Sequence, residues 1–262
     1  MIHPLDAWDR PHHDASASSD ALVFYVAFGE YAGGGPVSAS KYRTMGVPKS
    51  LGLQVFDRLR HAEYIDRFMD GWLWDRLVSD DPDLAGAVER SPKCLVLQGA
   101  IKDPATLNYL RDSIGVMTYF LDQGACAILD PQAFRWYSPE SWKADLFDPV
   151  PPMPLRHVSV LYSEDEADAG LLWIHTRGMR KFGRPDISIR GVAPRFRESC
   201  IDLCKRFAEI QALGASISEG EEVRVAALPA GGVIQHCGSL DDPDFNNVHF
   251  EVVWHSGALS KE

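Results

Sequence analysis

Short apolar runs bounded by turn residues mark the first half of the chain. Three of them are "ALVFYVAF" (21–28), "CLVLQGAI" (94–101) and "ACAILD" (125–130). Their length and their content of β-branched and aromatic residues predict buried strands.

Helical spacing appears between these runs. Apolar residues recur every three or four positions over 107–121, which predicts a helix opened by Asp103 as N-cap and Pro104 as first residue. A looser spacing of the same kind over 51–78 predicts a second helix, broken at Gly71.

The second half alternates apolar and polar positions more often. Its predicted strands are "VSVLY" (158–162), "LLWIHT" (171–176), "ISIRGV" (187–192), "EEVRVAAL" (221–228), "VIQHC" (233–237) and "VHFEVVWH" (248–255). The turn-length connections between several of them favour antiparallel pairing. An amphipathic helix is predicted from Pro194 to Gly214.

This order of elements predicts an α+β fold. We expect mixed, largely antiparallel sheets with amphipathic helices packed on one face, in two similar-sized subdomains. The proline-rich residues 149–154 are the predicted junction between an N-terminal α/β subdomain (21–148) and a C-terminal α+β subdomain (155–262). The polar residues 1–20 are expected to form a mobile N-terminal tail.

Composition and charge exclude several classes of function. The 262 residues carry a net charge of -11, which disfavours nucleic acid and anionic membrane surfaces as partners. The chain has no apolar run of transmembrane length, no signal peptide and an odd number of cysteines, five, so we expect a cytoplasmic protein with reduced thiols. Lys49 follows Pro48 and not the glycine of a phosphate-binding loop, and no cofactor is predicted.

Cysteine and histidine positions leave two weak alternatives. Cys200 and Cys204 share a helix face and would hold a metal only if His236 and Cys237 came near; core packing is the favoured interpretation, and no metal is predicted. The residues His236, Cys237, His249 and His255 form a weaker metal option. The face of the last strand that carries these last two histidines is interpreted as the solvated side of an edge sheet.

The segment "HTRGMRKFGRPD" (175–186) is the main candidate for chemistry. His175 ends a predicted strand, and Asp186 could orient its ring so that the other nitrogen acts as a base. Arg177 and Arg184 have the forked donors that bind phosphate or carboxylate. This pattern indicates an anion-binding site with general acid/base chemistry.

The glycines and apolar residues of the same segment support two interpretations. Gly178 and Gly183 allow positive φ and would turn backbone amides toward an anion. They would equally shape a structural turn, with Met179 and Phe182 packed on the core and Asp186 paired locally.

The run "IHTRGMRKFGRPDISI" (174–189) resembles the motif of an uncharacterised bacterial domain family, in which a strand-end His-Thr and an F-G-x-P-[DE] turn precede a strand. The run "LRDSIGVMTYFLDQGACAILDPQAFRW" (110–136) is similar in style to these proteins. The resemblance indicates that the loop is a signature, but it implies no activity.

Two hypotheses about function follow. The first is a non-catalytic binding protein of the immunity or antitoxin kind, whose acidic surface engages a basic protein partner. The second is an enzyme acting on a small anionic substrate, with His175 as acid/base and Arg177 and Arg184 as anion clamp. The sequence does not decide whether the protein is an enzyme.

Overall fold

A computed structural model of the protein describes residues 5–15, 19–31, 35–255 and 257–260. Within this part of the chain, helices accompany two mostly antiparallel sheets, which confirms the α+β class. The chain divides into two compact units: Met1–Asp9 with Leu22–Met153, and Arg10–Ala21 with Pro154–Glu262. The division after Met153 falls inside the proline-rich stretch predicted as the junction.

The first unit contains a five-stranded sheet. Its strands are β1 (Ala21–Gly29), β2 (Gly52–Asp57), β3 (Lys93–Ile101), β4 (Ala125–Asp130) and β5 (Arg135–Tyr137). They are ordered β2-β3-β1-β4-β5, and the β2–β3, β1–β4 and β4–β5 pairs are antiparallel. Strands β1, β3 and β4 coincide with the three apolar runs, because such runs are buried at the centre of a sheet.

Helices cover both faces of this sheet. They are α1 (Ala39–Tyr42), α2 (Arg58–Asp66), α3 (Trp72–Asp80), α4 (Pro82–Glu89), α5 (Asn108–Asp122) and α6 (Pro139–Trp142), with a 3-10 turn at Arg67–Met69 and a π-helical turn at Lys143–Phe147. Val26 and Phe28 of β1 pack in one cluster with Trp74 of α3, whereas the adjacent Tyr25 packs edge-on against Trp142 of α6. The prediction of helices on one face is therefore wrong here, because β1 is apolar on both faces and both must be covered.

The helix predicted over 51–78 is wrong in its first part. Residues 52–57 form β2, which pairs with β3 from Gly52 opposite Gln98 to Asp57 opposite Lys93. Because β2 is an edge strand, none of its residues is fully buried, and its apolar and polar residues do not show the regular alternation that would have indicated a strand. Gly71 does mark the predicted break, since it is the N-cap of α3 with φ of 79°.

Helix α5 begins later than predicted. Asp103 and Pro104 do not open it; the helix starts at Asn108. The preceding Thr106 forms a β-bridge with Asp9, and the amide of Leu107 donates to the carbonyl oxygen of Trp8 at 2.7 Å. These long-range bonds hold the segment extended and override its local capping signal.

The predicted mobile tail is also wrong for its described residues, while 1–4 and 16–18 lie outside them. In the first unit, Trp8 is 4% exposed and its indole Nε1 donates to the carbonyl oxygen of Val150 at 3.0 Å. In the second unit, Arg10 is buried and the amide of His12 donates to the carbonyl oxygen of Leu213 at 3.0 Å. Burial of the Trp8 ring and of the Arg10 guanidinium fixes this polar segment.

The second unit contains a six-stranded sheet and one long helix. The strands are β6 (Ser159–Glu164), β7 (Leu172–Arg177), β8 (Asp186–Val192), β9 (Glu222–Val223), β10 (Gly232–Cys237) and β11 (His249–Trp254). The helix is α7 (Arg197–Ala212). Short 3-10 turns occupy Pro154–His157, Met179–Phe182 and Pro194–Phe196. The order is β6-β7-β8-β11-β10-β9, and only the β8–β11 pair among these is parallel.

The last strand has one fully buried face. Phe250, Val252 and Trp254 of β11 are at most 7% exposed, as their alternation predicts. The opposite face, with His249 and Glu251, is half-buried. Its interpretation as the solvated side of an edge is wrong, because β11 lies between β8 and β10.

None of the described helices is long and apolar enough to cross a membrane.

Candidate functional site

The cationic loop is the segment between β7 and β8. The 3-10 turn Met179–Phe182 forms its centre, and Gly178 and Gly183 flank that turn with φ of 115° and 62°. A Cβ on Gly178 would lie 2.5 Å from the carbonyl oxygen of His157, and one on Gly183 would meet the carbonyl oxygen of Ser19. The amide of Gly183 donates to the carbonyl oxygen of Arg180 at 3.1 Å. Both positions therefore need glycine, because each has a positive φ and another backbone segment close by. The amide of Gly183, which was predicted to face an anion, is already bonded to Arg180.

Asp186 is bonded inside the protein and does not orient a histidine. Its Oδ1 accepts from Thr176 Oγ1 at 2.8 Å and from the Met179 amide at 3.3 Å, and its Oδ2 accepts from Asn247 Nδ2 at 2.8 Å. Burial raises the pKa of Asp186 to about 6, against the opposing effect of these hydrogen bonds. The carboxylate ties β7, the loop and the start of β11 together, so the predicted pairing with His175 is wrong.

Arg184 contacts main-chain carbonyls. Its Nε donates to the carbonyl oxygen of Ala215 at 3.1 Å, Nη1 to that of Gly183 at 2.8 Å and Nη2 to that of Gly214 at 2.9 Å. Two of these acceptors follow the end of α7, where carbonyl groups lack helical partners. The guanidinium satisfies these carbonyl groups, and the role of Arg184 as an anion clamp stays a prediction.

A second arginine contacts the end of the same helix. Arg10 is 4% exposed, and its Nε donates to the carbonyl oxygen of Ala212 at 3.0 Å. Its Nη2 donates to the carbonyl oxygens of Phe182 at 3.1 Å and Gln211 at 3.5 Å. A cation at a helix C-terminus is favoured by the helix dipole. Local sequence gave no signal for this role, since the partners lie about two hundred residues away.

His175 lies in an aromatic environment. It is 6% exposed, stacks on Trp173 with ring centroids 4.0 Å apart, and meets the edge of Phe245 at 5.7 Å. Burial, then the charges of Arg177 and Arg190, lower the pKa of His175 to about 3. Its Nδ1 has no hydrogen-bond partner in the part of the chain that the structure describes. At neutral pH the ring is therefore uncharged and too weakly basic to accept a proton readily.

Arg177 shares this environment. Its guanidinium lies over the ring of Phe245, 4.5 Å from the centroid, and burial lowers its pKa while Asp186 and Asp244 oppose that change. The structure thus brings together His175 and Arg177, on the same face of β7. Asp186 and Arg184 are bonded to other groups, and of the four predicted residues only Arg184 lines the cavity described below.

The aromatic cluster continues onto β11. We use this name for Trp173, His175, Phe245 and His249. His249 stacks on Phe245 at 4.1 Å, and Arg190 lies over Trp173 at 4.1 Å. Burial lowers the pKa of His249 despite the nearby Asp242. The sequence had indicated His249 as part of a polar face but gave no signal for the covering Phe245.

Metal ligands are not gathered in the described residues. No group of three or more histidine, cysteine or acidic side chains is placed to hold a metal ion there. His236 faces Phe250 across the β10–β11 ladder, whereas Cys237 faces His249, so these pairs occupy opposite faces of the sheet. Cys200 and Cys204 are fully buried in α7.

A cavity of about 510 Å³ lies beside the cationic loop, within the second unit. Its lining residues are Ser19, Gly183, Arg184, Pro185, Gln211, Ser216, Ile217, Ser218, His236, Cys237, Gly238, Val248, His249 and Phe250. Gln211 is fully buried, and both polar atoms of its side-chain amide lack a hydrogen-bond partner in the described structure. Gln211 lies in the last turn of α7, and the sequence pattern of that helix gives no signal for its burial without a partner.

Comparison with protein-family models, with curated proteins and with solved structures gave no match to this chain. The resemblance of the loop motif to an uncharacterised bacterial family stays a prediction. Any assignment of function therefore depends on the residues of the chain itself.

Proposed function

We propose that this chain is a non-catalytic cytoplasmic binding protein of the immunity or antitoxin kind, which engages a basic protein partner through an acidic surface on its first unit. The observation that supports it most is the distribution of charge between interior and surface.

The surface is more acidic than the net charge of the chain alone indicates, because more cationic than anionic side chains are buried. Among the described residues, the buried cations are Arg10, Arg111, Arg177, Lys181 and Arg184, and the buried carboxylates are Asp130, Asp165 and Asp186. More positive than negative charge is therefore removed from the surface of a chain whose net charge is already -11. A surface of one sign attracts partners of the opposite sign and speeds their association.

The acidic side chains are concentrated with exposed apolar ones in α2–α4. Over residues 55–90, eight acidic residues are exposed and four basic ones. In the same stretch Leu59 is 97% exposed, and Val55 and Trp72 are each 54% exposed. Exposed aromatic and aliphatic side chains among charged ones are typical of protein interfaces, and tryptophan is frequent at their energetic centres. We call residues 55–90 the acidic surface.

The enzyme hypothesis has less support from the geometry. An acid/base histidine needs a pKa near the working pH and access to substrate. His175 is buried with a pKa of about 3, and Arg184 is bonded to carbonyl oxygens. A binding role requires neither group to be accessible.

The proposal is tested by using the purified chain as bait for proteins from its own cells, at low and high salt. We expect one dominant basic protein, retained at low salt and released as salt screens the charges. The variant Leu59→Ser with Trp72→Ser should lose it while remaining folded, because both side chains are largely exposed and Trp72 gives up only its edge contact with Phe134.

Tyr162→Ser is the matched control, since Tyr162 is as exposed as Trp72 but belongs to the second unit. Recovery of no protein, or of one that the acidic-surface variant still binds as tightly as the wild type, would overturn the proposal.

A further inference from the structure

We propose that the cavity beside the cationic loop binds a small, planar, uncharged molecule with an amide-like edge, in which a hydrogen-bond donor and an acceptor lie side by side, as in a nucleobase. This site is independent of the acidic surface and lies within the second unit.

The size of the cavity fits a small molecule. Its volume of about 510 Å³ is within the range of ligand pockets, and it is large for a nucleobase alone. Apolar walls come from Pro185, Ile217, Val248 and Phe250, and the other walls carry polar side chains that include Arg184, Gln211 and His236. A cavity with both kinds of wall suits an organic ligand that has an apolar face and a polar edge.

Gln211 supplies the specific polar group. It lies in the last turn of α7 and has no exposed surface, yet its Oε1 and Nε2 both lack a partner among the described residues. Buried amides in folded proteins are nearly always bonded, because an unpaired one loses its hydration without compensation. Both atoms have almost no accessible surface in this structure, so a ligand edge with one donor and one acceptor would satisfy them by drawing the side chain into the cavity, where it would bond as glutamine does with the edge of adenine.

The charges around the cavity favour an uncharged ligand. Arg184 lines it, so a cationic ligand would be repelled. An anionic ligand would compete for Arg184 with the carbonyl oxygens of Gly183, Gly214 and Ala215. It would also lie near the Glu219 carboxylate, which accepts from the backbone amide of the lining residue His236 at 2.5 Å.

A flat ring forms part of the wall. His236 stacks on Phe250 with centroids 4.9 Å apart and an interplanar angle of 25°. Its Nε2 lies 3.0 Å from the carbonyl oxygen of Ile217, so this nitrogen carries the hydrogen and donates. Because His236 lines the cavity and is an exposed residue, its ring is available for stacking with a planar ligand.

Ligand-detected NMR on the full chain tests the site, with adenine, uracil and nicotinamide as probes and with phosphate and acetate as charged comparators. We expect saturable binding of at least one planar probe and none of the two anions. Gln211→Met keeps the volume but removes both polar atoms, so it should weaken binding by about tenfold or more and raise the melting temperature.

Gln235→Met is the matched control, since Gln235 lies on β10 beside the cavity but does not line it, and it should bind as the wild type does. If Gln211→Met does not fold, Ser218→Trp, which fills the cavity from an exposed lining position, should abolish binding. The proposal is overturned if no planar probe binds the wild type, if the anions bind in their place, or if the variant that folds binds the probe unchanged.

Discussion

Acidification should destabilise the second unit through His175. The pKa of this buried ring falls from its ordinary value of 6.5 to about 3. Between these values the unfolded chain binds a proton that the folded chain does not, so the free energy of unfolding falls as the pH falls. Each pH unit is worth about 1.4 kcal/mol, and the loss between pH 7.5 and pH 5 is roughly 2 kcal/mol for this group.

Asp186 acts in the opposite direction. Its pKa rises from 3.8 to about 6, so the folded chain holds the proton more tightly than the unfolded chain. Its contribution to stability is complete below pH 3.8 and is lost as the pH rises through about 6. Between pH 7.5 and pH 5 it should add roughly 1.4 kcal/mol, which partly offsets the loss from His175.

Two variants separate these contributions. His175→Phe keeps the ring packed between Trp173 and Phe245 but removes its titration, and Asp186→Asn keeps the shape of the carboxylate. Urea unfolding at several pH values gives the difference in unfolding free energy between wild type and each variant. From pH 7.5 to pH 5, the wild type should lose about 2 kcal/mol of unfolding free energy relative to His175→Phe. Over the same range it should gain about 1.4 kcal/mol relative to Asp186→Asn.

The result that refutes this reasoning is a pH profile of His175→Phe parallel to that of the wild type. It would mean that the ring titrates alike in the folded and unfolded chain and is not buried in the aromatic cluster.

Two further substitutions test close contacts, each by urea unfolding against a matched control. Gly183→Ala should lower the unfolding free energy by about 3 kcal/mol or more, because its Cβ would meet the carbonyl oxygen of Ser19. Gly191 has a similar φ of 65° but open space around it, so Gly191→Ala should lower it by only about 1 kcal/mol. Equal losses would contradict the contact with Ser19. Thr118→Val should cost roughly 1–3 kcal/mol, because Thr118 Oγ1 accepts from Trp142 Nε1 at 2.9 Å in the core. Ser113→Ala should cost less than about 1 kcal/mol, since its hydroxyl donates only within the helix, and the reverse order of these two costs would count against the bond.

Elements with strong local signals could be predicted from the sequence. The runs that became β1, β3 and β4 are apolar over most of their length, and most of their apolar residues are buried because these strands lie at the centre of the sheet. Helix α6 also carries a local start signal, since its N-cap Ser138 accepts from the amide of Ser141 and Pro139 is its first residue. The prolines near residue 150 mark the division of the chain because they disfavour both helix and central strand.

The partners of individual side chains could not be predicted. Asp186 bonds to Asn247, sixty-one positions along the chain, and Arg10 bonds to the end of α7. A local pattern shows that Arg184 and Asp186 are able to bind an anion or orient a histidine, but the tertiary fold decides which atoms they meet. The same holds for Gln211, whose missing partners become visible only once the chain surrounds it.

We expect the cationic loop to stabilise the fold through Arg184 rather than to bind an anion. The most direct measurement is the unfolding free energy of Arg184→Met, in chloride and in phosphate at equal ionic strength, beside Arg224→Met as an exposed control. We expect Arg184→Met to lose about 3 kcal/mol or more in both salts, because three carbonyl oxygens lose their donor. Arg224→Met should be as stable as the wild type, because this side chain is exposed. The contrary result has two parts: Arg184→Met is as stable as the wild type in chloride, and phosphate stabilises the wild type but not the variant. That result would mean that Arg184 binds an anion and does not stabilise the fold.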